Sequence, residues 1–155
     1  MADPTDDPAV SREEHAAALS TLASGKRAEL AGALERIGEP EGWRWLRAPE
    51  IGLVMVRGRA GGGGAPFNLG EATVTRAALV LGDGTEGHAY ALGRDKRAAR
   101  DAALLDALWC GEDRDAVERE ALAPIRRRRA EQDARAAAES AATRVEFFTM
   151  MRGDD

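Results

Sequence analysis

Residues 71–92 read EATVTRAALVLGDGTEGHAYAL, two runs rich in Thr, Val, Leu and Tyr on either side of Gly82-Asp83-Gly84-Thr85. An Asp-Gly pair between two such runs marks a hairpin turn, because both residues tolerate positive φ. The stretch therefore predicts two antiparallel strands, Glu71 to Leu81 and a second run through Leu92. Working upstream, Trp43, Trp45 and Leu53 to Val56 are rich in β-formers and are interrupted by Pro49 and Gly52. That pattern predicts two further strands joined by a tight connection, the all-apolar LVMV being covered on both faces. Further upstream, Ser11 and Glu14 form an S-x-x-E capping signature that starts a helix running to about Ser24, with Gly25 as an αL stop. Leu30, Ala33, Leu34 and Ile37 then recur at helical spacing until Gly38 and Pro40, so two short helices are expected to pack as a hairpin.

Working downstream from the same stretch, RDKRAARDAALLDALWCG (residues 94–111) switches to a helical period. Ala98, Leu105, Leu108 and Trp109 offer a buried stripe, and Gly111 a stop. From Asp113 the composition turns to Ala, Glu and Arg, and Pro124 suits the first turn of a longer helix that carries Arg126 to Arg129 and ends near Ala142. The expected fold is α+β, in the order ααββββαα: an N-terminal helical hairpin, a four-stranded mainly antiparallel sheet, and C-terminal helices packed on it. Residues 1–10 read as a disordered tail and 11–155 as a single domain, a length of 155 residues leaving little room for a second.

Composition removes several function classes. A net charge of -5 offers no general attraction to nucleic acid or anionic lipid. Apolar runs fall short of the roughly 18 residues that span a bilayer, and the acidic, Pro-containing start MADPTDDPAV is unlike a signal peptide, so a cytoplasmic protein is expected. Cys110 is the one cysteine of the chain, which rules out an internal disulfide and a multi-thiolate zinc or iron-sulfur site built by this chain alone. His15 and His88 sit in different predicted elements without a ligand-spacing motif, so no metal site is expected.

Several segments could still carry chemistry. Arg57-Gly58-Arg59-Ala60-Gly61-Gly62-Gly63-Gly64 could direct backbone amides at a phosphate, but it lacks a Gly-Lys-Ser/Thr ending and a following helix, and a plain strand-to-strand loop competes with that reading. Gly93-Arg94-Asp95-Lys96 falls where a strand hands over to a helix. Asp95 fits an N-cap there, and Arg94 and Lys96 would suit a triphosphate or a partner's carboxylates. Arg76 lies within an otherwise apolar and threonine-bearing strand, where a guanidinium facing a core must be paired; it is a candidate functional or interface residue. Arg126 to Arg129 are bracketed by Glu118, Glu120, Glu131 and Asp133, which points to a solvated, ion-paired helix face rather than a nucleic-acid contact. His88 alternates with Tyr90 and Leu92 on one strand face and reads as a packed or hydrogen-bonded histidine. The segment Thr143 to Gly153 holds two of the chain's three phenylalanines near a terminus, which implies docking on this chain or on another.

Three strings carry a likeness: PFNLGEATVTRAALVLGDGT at Pro66 to Thr85, GHAYALGRDKRAARDAALLDAL at Gly87 to Leu108, and ATRVEFFTMMRG at Ala142 to Gly153. In that order and spacing they resemble the PhnG family, the small subunit of the carbon-phosphorus lyase core, over about Arg12 to Gly153. The resemblance implies membership of a cytoplasmic complex with PhnH-, PhnI- and PhnJ-like subunits. In that complex methylphosphonate displaces adenine from the ribose C1' of ATP, giving ribose 1-methylphosphonate 5-triphosphate. It further implies an accessory subunit without activity alone and without a cofactor of its own, ATP being a substrate of the complex. The radical step that later breaks the carbon-phosphorus bond, with an iron-sulfur cluster and S-adenosylmethionine, belongs to another subunit. By matching the family strings, Arg94, Asp95, Lys96, Arg144, Phe147, Phe148 and Arg152 are candidate substrate or interface positions, and no catalytic residue is nominated. The competing expectations are a stand-alone phosphate-ester or ATP-binding protein, resting on the Gly-rich loop with GRDK, and a nucleic-acid-binding module resting on Arg126 to Arg129.

Overall fold

The computed structural model describes residues 11–59 and 63–142. In chain order the elements are α1 (Arg12–Ala23), α2 (Arg27–Ile37), β1 (Arg44–Arg59), β2 (Pro66–Val80), β3 (Glu86–Leu92), α3 (Lys96–Cys110), α4 (Arg114–Val117), a π turn (Glu118–Leu122) and α5 (Ala123–Ala142). The class is α+β as expected, but the sheet has three strands among the described residues, in the order β1-β2-β3 with both pairings antiparallel. The expectation of four strands fails at Pro49. It does not end a strand, because β1 is a sheet edge and the register shift between Arg47 and Glu50 places the proline where no ladder hydrogen bond is required of it.

The hairpin between β2 and β3 is built as the sequence predicts, with a different division of labour. Gly84 alone takes the positive φ (92°), whereas Asp83 uses its side chain, which accepts from the Thr85 amide at 2.8 Å. The far half of the β1–β2 hairpin departs most from expectation. Leu53 is 61% exposed, Met55 55% and Leu69 62%, so the LVMV segment is not covered on both faces.

α3 is the centre of the fold. It packs on β3, β2, α1 and α2, and residues 101–109 are all buried. Leu104 and Leu105 join Leu79, Leu22, Leu30, Leu122 and Ile125 in the fully buried set. Each such side chain contributes about 1.5–3 kcal/mol of burial. Leu105, Leu108 and Trp109 fall in the core as read from the sequence, while Ala98 is half-buried. Small residues let the helix lie close to the sheet: a Cβ on Gly87 would stand 2.1 Å from the Ala103 carbonyl oxygen.

At α1 the capping box is present, Ser11 Oγ accepting from the Glu14 amide and Glu14 Oε2 from the Ser11 amide, each at 3.2 Å. Gly25 does not act as an αL stop, since the helix closes at Ser24 in ordinary helical conformation. The glycine is needed for space, because a Cβ there would meet Leu30 Cδ2 at 2.8 Å. α1 and α2 do not form a mutually packed hairpin; α1 packs chiefly on α3 and β3, and α2 on α3. Gly38, with φ of 103°, ends α2. The last helix begins earlier than the sequence suggests. The π turn at Glu118–Leu122 joins α4 to α5, so that Pro124 is accommodated within a continuing helix. Arg128 ties α5 to α2, donating to Glu29 Oε1 at 2.6 Å and to the Ser24 carbonyl at 2.8 Å. Arg126 pairs with Glu118 at 2.8 Å, as the bracketing acids predict.

Candidate functional site

Arg76 lies in the middle of β2 and is half exposed rather than turned into the core. Antiparallel pairing sets it in a row with Glu50 on β1 and Tyr90 on β3, and the neighbouring row is Arg47, Ala78 and His88. Residues directly opposed across strands share a face. Arg76 Nε donates to Glu50 Oε1 at 2.5 Å, and Arg47 Nη1 donates to the same oxygen at 2.6 Å. The two arginines hold the Glu50 carboxyl below its usual range, the bond from Arg47 contributing most and that from Arg76 next. Leu19, Ser20 and Ala23 of α1, with Arg47, Arg76, His88, Tyr90 and the alanines at 77, 78 and 89, line a solvent-open cavity of about 360 Å³.

Asp106 on α3 occupies a second junction and is fully buried. Its Oδ1 lies 2.8 Å from His15 Nε2, and its Oδ2 accepts from the His88 backbone amide at 2.8 Å. One carboxylate thus ties α1, α3 and β3 together. Burial pushes the Asp106 carboxyl up, and the bonds from His88 and His15 oppose that rise. The His15 ring stacks on Trp109 with centroids 5.7 Å apart. Cys110 Sγ lies 3.5 Å from the same His15 nitrogen, and its thiol is pushed up to about 11, mainly by burial. His15, Asp106 and Cys110 could present one ligand atom each to a metal ion, all within 4.8 Å of one another. Both Asp106 oxygens already accept hydrogen bonds, and Cys110 shares His15 Nε2 with Asp106, so the arrangement serves as an anchor complete in protein atoms. For the same reason it is not a Cys-His-Asp relay, which needs the carboxylate on the other ring nitrogen.

The GRDK segment is placed as the sequence predicts. Asp95 Oδ1 caps α3, accepting from the amides of Arg97 and Ala98 at 3.0 Å each. Arg94 and Lys96 are exposed and, with Arg27 and Arg97, border a shallow, open depression. This cationic corner does not share a cavity with Arg76. Arg144, Phe147, Phe148 and Arg152 lie outside the described residues, as do Ala60, Gly61 and Gly62 of the Gly-rich loop. The arginines of that loop's flank are seen at Arg57 and Arg59, the latter donating to the Gly64 carbonyl at 3.3 Å.

A sequence-family model described as phosphonate metabolism protein PhnG matches residues 13–153. The chain belongs to the PhnG family. It is 45% identical over 151 residues, 97% of this chain and 96% of the relative, to a protein named alpha-D-ribose 1-methylphosphonate 5-triphosphate synthase subunit PhnG from Rhizobium meliloti (strain 1021). Within this family member, Arg47, Glu50, His15 and Asp106 escaped the sequence reading. Arg47 and Glu50 flank the proline taken for a strand break, and His15 and Asp106 are 91 residues apart. No local spacing signals either pair. Among the described residues, no helix is long and apolar enough to cross a membrane.

Proposed function

We propose that this chain is an accessory subunit of a carbon-phosphorus lyase core complex. In that role it is required for the synthesis of alpha-D-ribose 1-methylphosphonate 5-triphosphate from ATP and methylphosphonate, with release of adenine. The synthase and its product are taken over from the name of the 45% identical relative; ATP, methylphosphonate, adenine and the lyase core follow from the family resemblance. One observation carries the subunit role: on the far half of the β1–β2 hairpin Leu53, Met55, Phe67 and Leu69 are between 47% and 62% exposed among the described residues. Large apolar side chains left exposed on one hairpin are what a permanent heteromeric interface covers. The partners in this reading are PhnI-, PhnH- and PhnJ-like subunits in the cytoplasm. The chain itself brings no cofactor, and ATP enters as substrate of the complex.

Displacement at the ribose C1' requires the triphosphate held, the departing adenine stabilised and the phosphonate oxygen aimed at the opposite ring face. Arg94 and Lys96 at the α3 N-terminus are suited to the first task, since helix dipole and side-chain charge act together there. The test is co-expression with the PhnI-like protein of the same organism, then with the remaining core subunits, followed by gel filtration and assay of adenine release from ATP and methylphosphonate. Co-elution with adenine release that needs this chain is the expected result. Elution of the chain alone from the full set of core subunits would overturn the proposal. In the assembled complex, Arg94→Ala with Lys96→Ala should lower synthase activity without dissociating the subunits; full activity would reject a triphosphate-holding role for that corner.

A further inference from the structure

The β1–β2 hairpin beyond Glu50 presents large apolar side chains on both of its faces. Successive residues of a strand point to opposite faces, and directly opposed residues share one. Leu53 opposite Thr73 and Met55 opposite Glu71 therefore lie on one face together with Ile51, whereas Val54 opposite Ala72 and Val56 opposite Gly70 lie on the other. The register shift between Val56 and Arg57 brings Phe67 opposite Gly58, and so onto the face of Val54 and Val56. Leu69 is on that face too, since a Cβ on Gly58 would stand 2.6 Å from Leu69 Cδ1. Among the described residues, Ile51, Leu53 and Met55 are exposed on the first face and Val56, Phe67 and Leu69 on the second.

Apolar side chains on one face suit a sheet that lies on its partner, whereas apolar side chains on both suit one gripped from two sides. β1 is also the sheet edge, and Ile51 to Val56 carries no charge, proline or register shift, the devices that blunt an unpaired edge in a free protein. Charge selects the occupant. β1 and β2 hold Arg44, Arg47, Arg57, Arg59 and Arg76 against Glu50 and Glu71, five cations to two anions, in a chain of net charge -5. Two such hairpins repel each other, which argues against a second copy paired arm to arm. Arg57 and Arg59 stand at the far end of β1, where a partner's carboxylates would meet them. The large apolar side chains on both faces favour a protein over a nucleic acid.

We propose that residues 51–59 and 66–72 form an arm that inserts into a slot of another protein, with apolar walls on both sides and Asp or Glu side chains where Arg57 and Arg59 enter. At about 3.3 Å per residue, residues 51–59 reach about 26 Å into it. Insertion, with both faces and the edge covered, rests on the hairpin alone; that the slot belongs to a core subunit rests on the proposed subunit role.

The test places a photo-reactive phenylalanine analogue at position 53 or at position 67 of the full-length chain, irradiates cells of the source organism that make it, and identifies the captured peptides by mass spectrometry. Both positions should capture the same protein, through apolar peptides flanked by Asp or Glu. Capture at one position alone, of a different protein at each, of this chain itself, or of nothing at either would overturn the insertion. In the assembled complex, Leu53→Asp and Phe67→Asp should each weaken attachment of the chain at least about thirty-fold, with thermal melting used to confirm that both variants are folded. Arg57→Glu should weaken attachment and flatten its dependence on salt. A complex sensitive to one of the two Asp variants only, or to neither, sinks the insertion and leaves the subunit role standing. Capture at both positions of one protein that is not a core subunit supports the insertion against the subunit role.

Discussion

Gly87→Ala should cost this protein far more than a single methyl group suggests. Gly87 sits on β3 opposite Leu79, directly beneath α3. The added Cβ would lie 2.1 Å from the Ala103 carbonyl oxygen, 2.7 Å from Ala107 Cβ and 2.8 Å from the Ala107 amide nitrogen. None of these is the tip of a flexible side chain. To reach the 3.4 Å at which ordinary contact begins, α3 has to recede by about 1.3 Å from the sheet (3.4 less 2.1). That displacement loosens the packing of Leu104 and Leu105 and lengthens the 2.8 Å bond between Asp106 and the His88 amide. Overpacking in a close-packed interior costs about 1–3 kcal/mol, and a clash with helix backbone belongs at the upper end. At roughly 3 °C per kcal/mol for a chain of this size, Tm should fall by about 9 °C. Chemical denaturation and thermal melting of the full chain measure it, and amide exchange of His88 should accelerate in parallel. Gly52→Ala is the control, as a Cβ there meets nothing within 4 Å and no positive φ is needed. It should be neutral or stabilising by up to about 1 kcal/mol. If Gly87→Ala lay within about 0.5 kcal/mol of the parent, the argument for a helix seated on a glycine would be refuted.

Three further outcomes are expected. Asp106→Ala removes the partner of both His15 Nε2 and the His88 amide, so it should destabilise by about 1–3 kcal/mol or more in urea titrations; an unchanged midpoint would show that the junction is not an anchor. Cys110, with its thiol pushed up to about 11, should react with a thiol reagent at pH 8 far more slowly in the native chain than after denaturation. Equal rates would contradict its burial. Glu39 is held below its ordinary value of 4.5 chiefly by the bond from Arg100, so its stabilising contribution is complete above that pH and is lost as pH falls through the lowered value. The pair is partly exposed, which limits the effect to about 0.2–1 kcal/mol, and Glu39→Gln should flatten the acid side of the Tm-against-pH curve by that amount. An identical acid limb in the variant would remove Glu39 from the account.

Local rules reached as far as local physics acts. The capping box at Ser11, the Asp95 cap, the Gly84 turn and the apolar stripe of α3 each depend on residues a few positions apart, and all were legible. The reading of Pro49 as a strand break failed because a proline's effect depends on whether its strand lies at a sheet edge, which the run itself does not contain. LVMV was misjudged for a related reason: an apolar strand looks the same whether this chain or another protein covers it, and here Leu53 and Met55 remain exposed.

The sequence by itself determined the α+β class, the place of most elements and the PhnG family, since these rest on periodicity, turn chemistry and long matching strings. Only the tertiary structure decided which side chains meet. Arg47, Glu50 and Arg76 converge because a register shift on β1 sets Glu50 opposite Arg76. His15 and the backbone of His88 converge because a single buried carboxylate at Asp106 satisfies both. Such meetings are settled by sheet register and by the cost of burying an unpaired polar group, both properties of the whole fold.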